Sequence, residues 1–338
     1  MDATPQELLN KIQQANMVVI VMDSRFDYDS ISSVFAFKYF LESINKKFEV
    51  YCDYEIPSKA QTYYDYTFIK QKVHPNNIEY EKDAVVVYLD SGDKSHLAQD
   101  KNVALPSNIK ILIDHHDDSE CFADLNYIDN KATSTTHVIY NLFSALGVEI
   151  DEKMANALLL GILTDSGRFQ YSKTSSQTLT IAADLMTKGA KMHELIQKDL
   201  FNESYENMLY KKLIFNNLVV DFENKVAYTS HTIKEMQDYG LGQMNPEGLL
   251  PAADLLKYMK GINFAFCASE IATTPGKFKA SLRSHLSNFK VSEIAKALGG
   301  GGHAMAASTG VLENAKSIED VVKVVMETTK ALGAKLWA

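Results

Sequence analysis

The sequence predicts an α/β protein of two domains: an N-terminal, mainly parallel sheet flanked by helices, and a smaller C-terminal α/β domain. Three observations predict it. In the first half, β-branched runs such as "VVIVM", "AVVVYL" and "IKILI" alternate with apolar helical stretches, the pattern of a sheet buried on both faces. In the second half strand-like stretches return as "KVAYTSH", "INFAFCASEI" and "KFKASLRS". Finally, 338 residues are more than one hydrophobic core usually supports.

Taken in order, residues 6–15 read as a short helix, 17–22 as a strand, and "SISSVFAFKYFLESI" as a second helix. "KFEVYC", "AVVVYLDSG" and "IKILIDHHD" follow as strands, the last two ending in acids, and "ATSTTHVIYNLFSALG" as a helix. "MANALLLGILTDSGRFQYSKTSSQTLTIAADLMTKGA" predicts a buried helix, a polar loop and a further helix closing near Gly189. The domains are expected at 1–195 and 216–338, joined by a helical linker over 196–215. A helix in "SIEDVVKVVMETTKALG" ends the second domain. Three first-half strands end in aspartate, and in open α/β sheets ligands collect at the carboxyl ends of strands. These acids are therefore expected to converge.

Composition excludes several classes. No run of roughly 18 apolar residues is present, and the N-terminus has no basic segment followed by an apolar stretch, so neither membrane spanning nor secretion is expected. Cys52, Cys121 and Cys267 are far apart and form no CxxC pair, which fits a reducing cytoplasm rather than a disulfide or zinc framework. A formal net charge of -9 argues against long duplex DNA, whose binding rests on Lys and Arg at phosphates. Oligomeric state is open, with a homodimer compatible.

The chemistry concentrates in acids and imidazoles. Asp23, Asp27 and Asp29 follow the first strand, Asp90 and Asp114 the next two buried strands, and Asp165 closes an apolar helix. Any one of them could be a helix cap or turn former. As a set, carboxylates in one cleft repel unless cations lie between them, and such oxygen-rich sites suit Mg or Mn. "ILIDHHDD" adds His115 and His116 at a strand end, where a regular strand would point them to opposite faces. Two divalent ions there would suit phosphoester hydrolysis. "ALGGGGHAMAAS" is neither a P-loop nor a dinucleotide fingerprint. Glycines without Cβ would let backbone N–H groups approach a phosphate or base edge.

"DHH" at 114–116, "LDSGD" at 89–93, "TDSGRFQY" at 164–171 and "GGGGHAMAAS" at 299–308 together resemble the DHH phosphoesterase superfamily, most nearly its nano-RNase type. The resemblance implies two divalent cations, Mn first and Mg as the alternative. It assigns Asp27 and Asp90 to one metal, and Asp29, Asp90, His115 and Asp165 to the other, with Asp90 bridging. It implies that Asp114 supports the adjacent histidine and that His116 points toward the scissile phosphate. In the C-terminal domain it implies that Arg283, Ser284, Gly301, Gly302 and His303 grip the substrate's far end across an interdomain cleft. Length selection would then be geometric, favouring short RNA, linear dinucleotides such as pApA, or 3'-phosphoadenosine 5'-phosphate.

One position departs from the family. Its first motif begins with His, four residues before the aspartate matching Asp27, and here that residue is Asp23; Ser32 also stands where a glycine is usual. Asp23 can still offer oxygen to a hard cation, but with shorter reach and an added negative charge. Altered metal preference, altered substrate choice, or a nucleotide-binding protein impaired in catalysis are all compatible with that change. Inorganic pyrophosphatase or exopolyphosphatase activity is the alternative enzyme reading, set against by the glycine-histidine motif.

Overall fold

The computed structural model describes residues 3–337 apart from 25, 58–59, 61–62, 201–203 and 243–251, and the backbone alone at 199–200. The chain divides into two compact units, Met1–Asn202 and Glu203–Ala338.

The first unit opens with α1 (Pro5–Gln14), whose Thr4 and Glu7 form a reciprocal capping box. Next come β1 (Val18–Met22), α2 (Tyr28–Ser43), β2 (Phe48–Tyr51) and β3 (Ile69–Lys70). β4 (Val85–Leu89), β5 (Ile109–Asp114) and β6 (Leu125–Ile128) complete a six-stranded sheet in the order β3-β2-β1-β4-β5-β6. All its pairings are parallel. The helices α3 (Thr135–Leu146), α4 (Glu152–Asp165), α5 (Ser176–Thr187) and α6 (Met192–Leu200) follow. Every residue of β1 and β4 is buried, the reason their sequences show no alternation. On one face Ile20, Met22, Val87 and Leu89 join Phe35, Phe37 and Phe40 of α2 and Leu158, Leu159 and Ile162 of α4 in one core. On the other, Val19, Val21, Val86, Tyr88 and Leu112 pack with Leu97. The strand order turns back at β1 and β4, and the crevice outside the carboxyl ends at such a switch point is where ligands sit in open α/β sheets. Asp23, Asp90 and Asp114 lie at those ends.

In the second unit α7 (Tyr205–Asn216), β7 (Val219–Asp221), β8 (Val226–His231), α8 (Ile233–Asp238) and α9 (Ala252–Leu256) precede β9 (Phe264–Glu270) and β10 (Phe278–Arg283). Then come α10 (Val291–Ala297), β11 (Gly301–His303), β12 (Ala306–Ser308) and α11 (Ile318–Leu332). The sheet order is β11-β12-β10-β9-β8-β7, antiparallel except for the β8–β9 pair. Phe264, Phe266, Leu282, Ile294, Val321 and Val325 form its core. The glycine run is here a hairpin strand rather than a loop. A Cβ on Gly302 would lie 2.6 Å from the Ala306 carbonyl oxygen, and one on Gly300 would collide with the Ser308 carbonyl. Both glycines are needed for the strand to approach β12, whereas Gly301 has open space where its Cβ would be.

No helix among the described residues is long and apolar enough to cross a membrane.

Candidate active site

The loops after β1, β4 and β5, the start of α3 and the end of α4 bring the acids and imidazoles together. Asp29, His115 and Asp165 offer ligand atoms within 4.8 Å of one another, and so do Asp90, His115 and His116. His115 belongs to both sets. Its Nε2 lies 3.4 Å from Asp165 Oδ2 and 3.7 Å from Asp90 Oδ1, while its Nδ1 faces the Ala132 carbonyl at 3.4 Å. Asp90 holds a left-handed backbone, φ 62°, a region that aspartate and asparagine enter more readily than other non-glycine residues.

Two threonines at the start of α3 orient these acids. The N–H groups of Thr135 and Thr136 donate to Asp29 at 2.6 and 3.1 Å, and the Thr136 hydroxyl donates at 2.7 Å. The Thr135 hydroxyl donates to Asp90 Oδ1 at 2.8 Å. A helix N-terminus has unpaired N–H donors and partial positive charge, so α3 fixes the Asp29 side chain and partly offsets the burial that raises its carboxyl above the ordinary value. In the sequence "STTH" reads only as helix. The available signal was a Ser-Thr-Thr cluster at a helix start in a chain with many acids at strand ends.

Gly161 of α4 leaves the space this arrangement needs. A Cβ there would collide with Asp29 Oδ1 and with the Thr136 side chain. Gly161→Ala is expected to lower stability by about 1–3 kcal/mol and metal affinity by roughly tenfold. Chemical denaturation and metal titration of the variant check this.

Two expectations are corrected. Asp114 supports His116 rather than His115: Asp114 Oδ1 and His116 Nδ1 are 2.7 Å apart. The two imidazoles also do not diverge, since β5 ends at Asp114 and their ring centroids are 4.6 Å apart. Burial would raise the Asp114 carboxyl, but the hydrogen bond and charge of His116 hold it below its ordinary value.

Neither Asp23 nor Asp27 belongs to either set of three, although the charge of Asp27 acts on Asp90 and Asp165. Asp23 is buried and accepts a hydrogen bond from the Ser91 hydroxyl at 3.2 Å. Asp27 is exposed and is the N-cap of α2, accepting from Ser30 N–H at 2.7 Å.

In the second unit, Arg283 and His303 face Ala306 from opposite neighbouring strands, and in-register neighbours share one face of a sheet. Arg283 Nε donates to Asp254 Oδ2 at 3.0 Å, and Lys257 Nζ to Asp254 Oδ1 at 2.6 Å. Asp254 thus gathers two cations, a pairing nothing in its local sequence signals. His303 is exposed. Ser284 corrects the substrate-contact expectation: it is buried, its hydroxyl donating to the Asn263 carbonyl and accepting from Leu286 N–H. It shapes the turn after β10.

The N-terminal domain of the DHH family matches residues 17–162 and the DHHA1 domain residues 236–331. The chain belongs to the DHH superfamily. The two domains, together with relatives named oligoribonuclease and PAP phosphatase, support the nano-RNase type, and as a DHH phosphoesterase the chain is a hydrolase. Over 330 residues, 95% of each chain, it is 26% identical to the uncharacterized protein MG371 of Mycoplasma genitalium. Over 325 residues, 96% of this chain and 98% of the relative, it is 25% identical to the probable bifunctional oligoribonuclease and PAP phosphatase NrnA of Streptococcus mutans. An exopolyphosphatase-related protein from Bacteroides fragilis shares the fold over 97% of this chain and 96% of its own, with a TM-score of 0.85 and 22% identity.

DHH phosphoesterases are metal-dependent, and this site fits a divalent cation. Burial pulls His115 down to about 4, so its imidazole is neutral at pH 7, the form that binds metal. Burial and the charges of Asp29, Asp27 and Asp114 push Asp90 well above the usual carboxylate range. Burial, with Asp29 and Asp27 adding to it, pushes Asp165 up to about 8; its side chain is 37% exposed, so water moderates that shift. Carboxylates held this close without a cation favour protons, and a metal would replace them. Asp29, His115 and Asp165, and Asp90, His115 and His116, are the two sets that could hold one.

A pH dependence follows for the metal-free protein. Asp165 binds its proton more tightly folded, at about 8, than at its ordinary value of 3.8. That contribution to stability is complete below the ordinary value and is lost as pH rises through the folded one. His115 and His231, both pulled down to about 4 by burial, act only below their ordinary 6.5. Between about pH 7 and pH 8, therefore, the melting temperature in chelator is expected to fall, and added Mn to raise it more at the higher pH. Thermal melts with chelator and with Mn check both.

Proposed function

We propose that this phosphoesterase hydrolyses very short RNA, linear dinucleotides such as pApA, or the 3'-phosphate of 3'-phosphoadenosine 5'-phosphate, using divalent metal, with Mn ahead of Mg. The observation that carries the reading is the pair of ligand sets that share His115, Asp29–His115–Asp165 and Asp90–His115–His116, with Asp114 hydrogen-bonded to His116. Carboxylates with one imidazole suit Mn better than an all-oxygen set would. Bound cations would neutralise phosphoryl charge and acidify the attacking water.

The chain's own residues supply the rest. Asp114 orients His116 through Nδ1, which turns the ring's Nε2 edge away from that carboxylate. His116 then holds a proton at Nε2 for the departing oxygen, the general-acid role in the reaction. Thr135 and Thr136 keep Asp90 and Asp29 fixed, so little reorganisation accompanies binding. In the DHHA1 domain, Arg283 and His303 are assigned to a substrate phosphate or base, Arg283 because its planar fork suits phosphate and Asp254 holds it in place. Gly301 offers open backbone beside them. Cytoplasmic residence belongs to the same reading, supported by three free thiols.

The test is a comparison of initial rates on RNA from the dinucleotide upward, on 3'-phosphoadenosine 5'-phosphate and on pyrophosphate, with Mn and with Mg. Rates are expected to be highest on the shortest nucleotides and to fall with length. Preferred cleavage of pyrophosphate would overturn the nucleotide assignment.

A further inference from the structure

The second unit gathers rings and cations that bond hydrolysis itself does not use. Tyr258 follows α9 and is 60% exposed. Single exposed aromatics are ordinary, but Tyr258 differs in what surrounds it. The exposed His285 ring lies tilted beside it, 5.9 Å between centroids, and Lys257 Nζ lies 5.0 Å from the Tyr258 ring centre. A connected chain of contacts leads from there to the glycine hairpin. Lys257 and Arg283 share Asp254, and Arg283 and His303 flank Ala306. Next to His285, the Ser284 N–H donates to the Met305 carbonyl at 2.9 Å, which ties the hairpin turn to the same place.

The charges there are largely spent. Asp254 offsets one of the two cations and occupies Arg283 Nε, while Arg283 Nη1 donates to the Leu282 carbonyl at 3.0 Å. Nη2 is left without a hydrogen bond among the described residues. A ligand therefore meets one open guanidinium nitrogen beside two open rings. Bare polyphosphate calls for several uncompensated cations and leaves the rings unused. A nucleotide uses both, since it carries a π-face as well as a phosphate, and an aromatic side chain with a cation nearby is the usual platform for a base.

We propose that Tyr258, with His285 and Lys257 around it, is the surface on which a base of the substrate stacks, and so the feature that selects nucleotides over inorganic phosphates. This rests on the nucleotide reading above and adds to it the group that holds the base. Every base has a π-face, so the platform accepts purines and pyrimidines alike, the larger purines more tightly. Tyr258→Ala is accordingly expected to raise KM for a dinucleotide with little change in kcat, the mark of binding shared by substrate and transition state.

The test is binding of AMP and of ribose 5-phosphate to the full-length protein in chelator, by calorimetry, so that no hydrolysis intervenes. AMP is expected to bind roughly 5- to 100-fold more tightly than ribose 5-phosphate, the worth of one stacked base. Tyr258→Ala is expected to remove that difference by weakening AMP alone, and Tyr258→Phe to keep it. The emission of 2-aminopurine riboside 5'-phosphate is expected to be quenched by the unaltered chain and by Tyr258→Phe, and not by Tyr258→Ala. Thermal melts check that each variant is folded. No measurable AMP binding, AMP no tighter than ribose 5-phosphate, equal weakening of both ligands in Tyr258→Ala, or loss of the difference in Tyr258→Phe would overturn the proposal. Stacking at Tyr258 in a chain that cleaves no nucleotide would sink the proposed activity and leave this inference standing. Cleavage of nucleotides with the same KM in Tyr258→Ala would do the reverse.

Discussion

Asp90→Asn is expected to lower kcat by about 1,000-fold or more with the fold intact, since even outer partners of metal ligands typically contribute 10- to 100-fold. The substitution is informative because it changes little else. Asparagine tolerates the left-handed backbone of Asp90, φ 62°, as aspartate does, and its amide oxygen can still accept from Thr135. What disappears is one buried negative charge between His115 and His116. The same loss has the opposite effect on the metal-free fold, where an unneutralised buried carboxylate is unfavourable. The melting temperature in chelator is therefore expected to rise while activity falls. Asp90→Ala would add backbone strain of roughly 1–2 kcal/mol and obscure that contrast. Steady-state kinetics with Mn and melts in chelator read the two effects separately.

His116→Ala is expected to lower kcat by roughly 10²- to 10⁴-fold, the usual range for losing a general acid, with metal binding at Asp29, His115 and Asp165 retained. His116 is 31% exposed at its side chain, whereas Asp114 beneath it is fully buried. The pair is therefore anchored inside and open outside, as a proton donor to substrate must be. Two results separate this role from a structural one. A phenolic leaving group, which departs without protonation, is expected to recover much of the loss. Asp114→Asn is expected to cost about 10- to 100-fold, as orienting partners do.

The central strands and their terminal acids are legible in the sequence because they are buried on both faces. β1, β4 and β5 appear as apolar runs broken abruptly by Asp23, Asp90 and Asp114. The edge strands β3, β6, β7 and β11, and β12 beside β11, are not legible in the sequence: they have two to four residues each, too short to show a period. Long-range hydrogen bonds were equally hidden. Thr135 and Asp29 are 106 residues apart, and nothing local in either sequence reports the other. Gly161 resembles any helix glycine until the fold brings Asp29 against it. Ser284 failed as a substrate contact for the converse reason. Its motif neighbour Arg283 is partly open, but the turn after β10 takes the Ser284 hydroxyl inward. Asp27 shows that a capping role and placement near the site coexist in one residue.

Metal-supported cleavage of a short nucleotide at these residues is the central expectation. Mass spectrometry of products from pApA incubated with the Mn-loaded protein, alongside Asp165→Asn, tests this directly. The prediction is 5'-AMP from the unaltered chain, none after chelation, and none from Asp165→Asn. Absence of product with pApA still bound, or equal product from Asp165→Asn, would contradict it.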